Sequence, residues 1–439
     1  MNIQKYLDEA KKRGIEPYQV STSLSTEVSV EVYNGEVETQ QIGSSQDIGA
    51  KGLFEGKQGS FSTDAIDSLT PSLMAQKVLE SAKFGKMEKK EDYFKGGLKY
   101  KACKKPKNAF QEADLKQLRN AALGLCEEVQ KRDERCKKVT IGLSMVSSKS
   151  SKFNSLGMKC SDKGKVFEGS IEIVAQSSEK EPRSSFCSFH SMESLDDLIS
   201  QARKKIDEVI SEAVDFFGSH AIETKNYSVV LSRKAVGSLL GTYLGQLNAK
   251  SVQKHLSVFE GKLNTQIMSD CLTLKNVPHI LSPYSSSYDS DGYPTQDFTF
   301  IQNGVLKTYF YSLETANVEG IPSNGCACGG GNGMPCIVEV ENGEDSLSDL
   351  FKKMKNGLYI LSFSGLNSGI NGQTLDFSLP CEGYIIEEGE KKSTFSMMVA
   401  AGNLKDLFSS VKAVGNDNDI DQQKYIPSMW IESLMVSGK

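Results

Sequence analysis

Apolar positions along the first half of the chain alternate between two periods. Residues 3–13 form a charged amphipathic stretch that predicts a short helix. Val28, Val30 and Val32 then alternate with Ser29, Glu31 and Tyr33, the period of a half-buried strand. Asn34-Gly35 follows, a two-residue hairpin signal, because a type I′ turn needs positive φ at both central positions. Residues 37–42, 48–54 and 59–62 continue this as an antiparallel meander. At Thr70-Pro71 a helix is expected, with Thr70 as N-cap, Pro71 at the first helical position and Met74, Val78 and Ala82 on one face. Leu115, Leu118, Ala122, Leu125 and Val129 mark a second amphipathic helix. Residues 140–190 return to strand patterning. A third helix places Leu195, Leu198, Ala202, Ile206, Val209, Ala213 and Phe216 on one stripe and ends near Phe217-Gly218.

The second half opens with a strand at 227–231 and a helix at about 234–247. From Thr273 onward it reads as short strands separated by turns at Asp291-Gly292, Asn303-Gly304, Asn356-Gly357 and Asn371-Gly372. Such regular turn signals predict a closed or strongly curled antiparallel sheet. Helices and antiparallel strands in blocks give an α+β class: an N-terminal α/β domain with antiparallel sheet and long helices over residues 1–218, and a C-terminal β-rich, barrel-like domain over 219–439. A length of 439 residues accommodates two such domains.

Composition changes this picture little. At 38% hydrophobic and 24% charged the chain is an ordinary globular one. No apolar run reaches the roughly 18–20 residues that cross a bilayer, and the N-terminal stretch is unlike a signal peptide, so a cytoplasmic location is expected. A net charge of −5 argues against general nucleic-acid binding. The one basic excess, Lys86 to Lys107, carries nine lysines against three acids, contains Gly96-Gly97 and Pro106, and reads as a solvated connector. The ten cysteines are expected to be reduced thiols. Cys326, Cys328 and Cys336 cluster in a glycine-rich loop, without the paired C-x2-C spacing of a structural zinc site.

Catalytic chemistry has little local support. His190, His220, His255 and His279 stand far apart, so no helix can present two imidazoles one turn apart with a carboxylate base, and each is expected to be a surface or hydrogen-bonded residue. The loop around Gly325–Gly333 has no following Lys-Ser/Thr, so it is not a P-loop. Asp289-x-Asp291-Gly292 lacks the remaining acids of a calcium loop and reads as a turn. Cys336 or Cys381 as a nucleophile would need a histidine delivered by the fold.

Several stretches resemble the TldD/PmbA family, in the family's order and over nearly the whole chain. These are Val32-Tyr-Asn-Gly35, Asp47-Ile-Gly-Ala-Lys51, Asp291-Gly-Tyr-Pro-Thr295, Phe300-Ile-Gln-Asn-Gly-Val-Leu-Lys307, Gly383-Tyr-Ile-Ile-Glu-Glu-Gly389, the run from Met398 to Phe408, Val414-Gly-Asn-Asp417 and Leu434-Met-Val-Ser-Gly438. The resemblance implies a cytoplasmic peptidase built from two kinds of subunit. One carries H-E-x3-H on the first helix of the C-terminal domain and, with a cysteine near the C-terminus, holds zinc. The PmbA/TldE kind lacks these ligands. Family members are also linked to modulation of DNA gyrase. The motif should fall after Leu239-Leu240, where this chain has Gly241, Thr242 and Gln246 instead of His, Glu and His, and no cysteine follows Asp417. Glycine and glutamine do not replace imidazole at zinc, and threonine is no carboxylate base.

The resemblance therefore implies a non-catalytic subunit without its own cofactor. Its implied partners are a zinc-bearing TldD-like paralogue and peptide substrates, with homodimers in isolation and neither nucleic acid nor membrane. Asn324, Gly325, Gly329, Gly330 and Gly331 are the candidate peptide-binding loop. Two other readings stay open. One is a stand-alone hydrolase using the Cys326/Cys328/Cys336 loop or an acid such as Glu387; the other is a regulatory protein-binding module.

Overall fold

The computed structural model describes residues 2–177, 180–328, 333–421 and 423–438. The chain divides into two compact units, one comprising Met1–Phe217, Leu281–Pro283 and Asp291–Pro294, the other the remainder from Gly218.

In the first unit six antiparallel strands lie in the order β3-β2-β1-β4-β5-β6. They are β1 (Tyr18–Tyr33), β2 (Glu36–Phe54), β3 (Lys57–Thr63), β4 (Cys136–Asn154), β5 (Lys159–Ser177) and β6 (Lys180–Ser191). Asn34 and Gly35 turn β1 into β2 with φ of 49° and 86°, as the hairpin signal requires. The two strands expected at 37–42 and 48–54 are one. Gly43 and the serines beside it do not interrupt β2, because β1 pairs with it continuously from Tyr18↔Gly52 to Glu31↔Thr39.

Helices α1 (Ile3–Lys12) and α2 (Thr70–Ala82) bury Val20, Ile48, Ala50 and Phe153. Helices α3 (Leu115–Arg132) and α4 (Leu195–Val214) bury Val30, Val32, Leu143, Phe167 and Ile171. Val20 and Val30 share a face of β1, since alternate residues of a strand do. Two cores therefore form on one sheet face, separated by the polar Thr22 and Thr26 and the exposed Leu24. Thr70 is not the N-cap of α2. It is the first helical residue, and the Asp67 carboxylate accepts from the Leu69 and Thr70 amides in its place. A carboxylate is the better acceptor at the positive end of a helix.

The second unit contains β7 (Lys225–Leu231), β8 (Leu274–Asn276), β9 (Phe298–Gln302), β10 (Val305–Leu306), β11 (Val338–Val340), β12 (Gly357–Phe363), β13 (Asp376–Glu387), β14 (Glu390–Asn403), β15 (Val411–Val414), β16 (Asp419–Asp421), β17 (Lys424–Ile426) and β18 (Met429–Ser437). One sheet runs β14-β13-β12-β7-β18-β15, and β14 also pairs with β18, so five strands close into a barrel. Within it β7 and β12 are parallel, which the expected all-antiparallel sheet did not include. A parallel pair needs a long crossover, and the stretch between Leu231 and Gly357 supplies it. The other sheet runs β10-β9-β8-β11-β17-β16.

The helices here are α5 (Arg233–Gly245), α6 (Ala249–Gln253), α7 (Leu313–Glu319), α8 (Leu347–Met354), α9 (Leu366–Gly369) and α10 (Leu404–Ser409). The region after Thr273 is thus less purely strand than its turns suggest. α8 opens on a reciprocal Ser346/Asp349 capping box and buries Leu350, Phe351 and Met354. Asn303-Gly304 is a hairpin turn, with φ of 48° and 74° between β9 and β10. Asn356-Gly357 and Asn371-Gly372 are not. Lys355 carries the positive φ at the end of α8, and the β13–β14 hairpin turns at Glu388-Gly389 instead. Among the described residues no helix is long and apolar enough to cross a membrane.

Candidate functional site

Helix α5 follows β7 directly. Its N-cap Ser232 accepts from the Ala235 amide while its hydroxyl donates to Leu361 O at 2.6 Å, fixing the helix start on the barrel strand β12. One face of α5 carries Val236, Leu239, Leu240, Tyr243 and Leu244 into the core. Tyr243 is fully buried. It donates to Ile267 O at 2.5 Å and packs on Phe259 and Phe408 with ring centroids 4.9 and 5.1 Å away.

Gly241, Thr242 and Gln246 lie toward the C-terminal end of this helix. Gln246 is buried and hydrogen-bonded at both ends of its amide. Its amide nitrogen donates to Gly372 O at 2.5 Å, and its amide oxygen accepts from Val258 N at 2.9 Å. It ties the loops at 258 and 372 to the helix. Thr242 is half-buried. Gly241 and Gly237, one turn apart, face β17. A Cβ on Gly237 would stand 3.6 Å from Ile426 Cδ1, and one on Gly241 3.7 Å from Lys424 Nζ. Lys424 Nζ donates to Gly237 O at 3.0 Å. The segment leading to β17 is held to the helix start as well, because Arg233 donates to Asp417 O at 3.2 Å and lies 3.6 Å from the Asp419 carboxylate. Asp417 in turn accepts from the Ser428 amide and hydroxyl.

These residues do not fit a zinc ion. No side chain at 241, a hydroxyl at 242, a hydrogen-bonded amide at 246 and an ammonium group from β17 make a site without an imidazole, carboxylate or thiolate donor. Elsewhere, among the described residues, no group of three His, Cys, Asp or Glu side chains is placed to hold a metal.

The glycine-rich loop departs from its expectation. Cys328 and Cys336 are joined as a disulfide, so two of the three thiols expected to be free are not. Their Cα atoms stand 5.2 Å apart, a separation typical of a bridge. Cys326 is buried beside the Asp289 carboxylate, and burial raises its thiol well above the ordinary range. Asn324 spends its side chain on the backbone, donating to Tyr309 O and accepting from Tyr311 N, and Gly325 turns the chain with a φ of 69°. Both shape the loop from within. Gly329, Gly330 and Gly331 lie outside the described residues. Burial pushes the Cys381 thiol up to about 12, so it is a protonated core residue at neutral pH rather than a nucleophile.

Glu387 lines a cleft of about 800 Å³ at the end of the barrel where β7, β12 and β14 begin and β13 ends, together with Glu388, Lys225, Lys392, Tyr227 and Asn356. Lys225 pairs with Glu223 and Lys392 with Glu390, all solvent-exposed. Such pairs contribute little to stability.

Lys424 escaped the sequence, visible only once β17 is seen to cross the Gly237/Gly241 face. His279, expected to be a surface or hydrogen-bonded residue, is hydrogen-bonded and buried, with Nδ1 2.6 Å from Asp297 Oδ2 and Nε2 3.0 Å from Thr295 Oγ1. The order hydroxyl, imidazole, carboxylate is that of a catalytic relay. Thr295, however, is buried and donates its proton to Ser286 O at 2.6 Å, leaving its oxygen to accept from the imidazole. The trio pins the loop between β8 and β9.

Residues 224–438 match the family model described as PmbA/TldA metallopeptidase C-terminal domain. The metalloprotease PmbA of Escherichia coli O157:H7 is 26% identical over 219 residues, which is 50% of this chain and 47% of that protein. The chain thus spans about half the length of this curated relative. A Thermotoga maritima crystal structure described as a candidate modulator of a DNA gyrase superposes with a TM-score of 0.88 at 27% identity, covering 99% of both chains. TldE from Thermococcus kodakarensis superposes with a TM-score of 0.84 at 18% identity, covering 99% of this chain and 100% of that one, a likeness of fold.

Proposed function

Since this chain belongs, through its C-terminal half, to the TldD/PmbA family of metallopeptidases, we propose that it is the non-catalytic, PmbA/TldE-like subunit of a two-component zinc peptidase. The observation that carries this reading is the face of α5 at Gly241, Thr242 and Gln246. Its three positions hold no zinc donor and no carboxylate base, and Gln246 is consumed by Gly372 and Val258. Zinc and the general base would come from a TldD-like paralogue bearing H-E-x3-H. This chain would contribute binding surface. Strands β10 and β16 end the six-stranded sheet of the second unit, and an extended peptide adding to such an edge is held through backbone hydrogen bonds with little demand on its sequence. The stand-alone cysteine hydrolase finds no support in a Cys381 thiol held protonated by burial or in a Cys336 bound to Cys328.

The test is to co-express the chain with an H-E-x3-H paralogue, isolate the complex, and compare zinc content and peptide cleavage with those of each chain alone. The expected result is a stable complex containing zinc from the paralogue and active only with both chains, while this chain alone holds substoichiometric zinc and is inert. Stoichiometric zinc and cleavage by the isolated chain would overturn the proposal.

A further inference from the structure

We infer that Lys424 is a tethered cation at the α5 site, and that this ammonium group, over and above the missing donors, closes the site to divalent metal. The inference rests on the reading above and deepens it, because it concerns what has taken the place of the metal rather than whether metal is absent.

Three observations converge. Gly237 and Gly241 strip one face of α5 of side chains at successive turns, so β17 lies directly on helix backbone, with Ile426 against Gly237 and Lys424 against Gly241. Lys424 Nζ then finds an acceptor on the helix itself, Gly237 O at 3.0 Å. Finally, Arg233 holds the approach to β17 through Asp417 O and the Asp419 carboxylate, so the lysine follows a stretch anchored to the start of the same helix. An imidazole grown from position 241 would start 3.7 Å from the ammonium nitrogen. Any divalent ion it bound would sit beside a like charge, whose repulsion grows as water is excluded. Restoring donors alone is therefore not enough to restore a metal site. Lys424 must leave as well.

The experiment uses the full chain in four forms: unaltered; Gly241→His/Thr242→Glu/Gln246→His with Lys424 kept; the same triple change with Lys424→Met, which retains the apolar stem; and Lys424→Met alone. Zinc affinity is read by competition with a chromophoric chelator, and folding by circular dichroism. The expected result is weak zinc binding by the triple variant and binding at least about tenfold tighter once Lys424 is methionine. Equal affinity with and without Lys424 overturns the inference. Because Gln246 is structural, the triple change can unfold the protein, and Lys424→Met alone supplies an independent readout. Loss of the donor to Gly237 O should lower the thermal midpoint and speed proteolysis near β17, with Lys424→Arg retaining most of the native behaviour. An unchanged or raised midpoint counts against the inference. Tight zinc in the Lys424-containing triple variant sinks this inference alone, whereas stoichiometric zinc in the unaltered chain sinks the proposed function with it.

Discussion

Helices α4 and α5 both pack against sheet, but by opposite means. α4 presents Leu198, Ala202, Ile206, Val209 and Ala213 as an unbroken apolar stripe over β5 and β6, and its other side is solvated. α5 is covered on two sides. Its inner face buries Tyr243, Leu239 and Leu240, while its Gly237/Gly241 face receives β17 and the Lys424 ammonium. The first arrangement is a packing solution that many sequences could satisfy. The second depends on side chains being absent at Gly237 and Gly241. On this helix one face lacks side chains while the other keeps the demands of a core.

That contrast can be broken first at Tyr243. Tyr243→Ala removes two aromatic contacts and a hydrogen bond to Ile267 and should cost roughly 3–5 kcal/mol. Leu198→Ala on α4 should cost roughly 2–5 kcal/mol. Urea titration followed by circular dichroism, with Trp430 fluorescence reporting on the second unit, measures both. A Tyr243→Ala cost below that of Leu198→Ala would mean that the α5 core face is as forgiving as α4.

The glycines sharpen the comparison because two of them should respond with opposite sign. A Cβ at Gly59 on β3 would lie 1.9 Å from Val78 O on α2, so Gly59→Ala must push helix from sheet and should cost about 1–3 kcal/mol or more. Gly241→Ala meets only ordinary contact and removes a flexible residue from a helix interior. It should stabilise by about 0.5–1 kcal/mol. Between these lies Gln246→Ala, which leaves Gly372 O and Val258 N without their buried partner and should cost about 1–3 kcal/mol with no change in metal content. Thermal midpoints rank all three, and a stabilising Gln246→Ala would remove the structural role assigned to that residue.

The smallest effect is a pH dependence at α2. The Asp67 carboxyl is held below its ordinary range by the Leu69 amide first, and then by the Thr70 hydroxyl. A depressed folded value means that its contribution is present above the unfolded carboxylate value, near about 4, and fades as pH falls through the lower folded value. The stability gap between the native chain and Asp67→Asn should therefore be constant from pH 7 to about 5 and shrink below about pH 4. A gap that widens on acidification would refute the assignment.

What could be read in the sequence follows the same division. The α3 and α4 stripes were legible because a helix on one sheet face must repeat its apolar residues at helical spacing, and the hairpin at Asn34-Gly35 because few residues tolerate that backbone. Glu55-Gly56 and Glu388-Gly389 make turns of the same kind, with positive φ at both residues, yet glutamate is a poor signal for them. Short α8 was hidden among strands, although Ser346 and Asp349 three residues apart announce its start. At the candidate site the sequence alone identified nothing. Gly241, Thr242 and Gln246 acquire meaning only from the resemblance, since an absent ligand leaves no pattern. Lys424 could not be reached at all, because the Gly237 carbonyl it donates to is brought to it by the crossing of β17 over α5. The Cys328–Cys336 bridge, likewise, depends on a 5.2 Å approach of two Cα atoms that spacing does not announce.

The pairing of β18 with β7 has a bearing on how the molecule is made. Asn226 meets Met435 and Lys225 meets Val436 across the barrel seam, so one edge of β7 stays unpaired in a nascent chain until β18 has been synthesised. The α3/α4 core of the first unit is complete by Val214. Synthesis thus produces a folded first half carrying a long unclosed sheet, and the interval before closure is when this polypeptide is most exposed to aggregation and to the proteases of its own host.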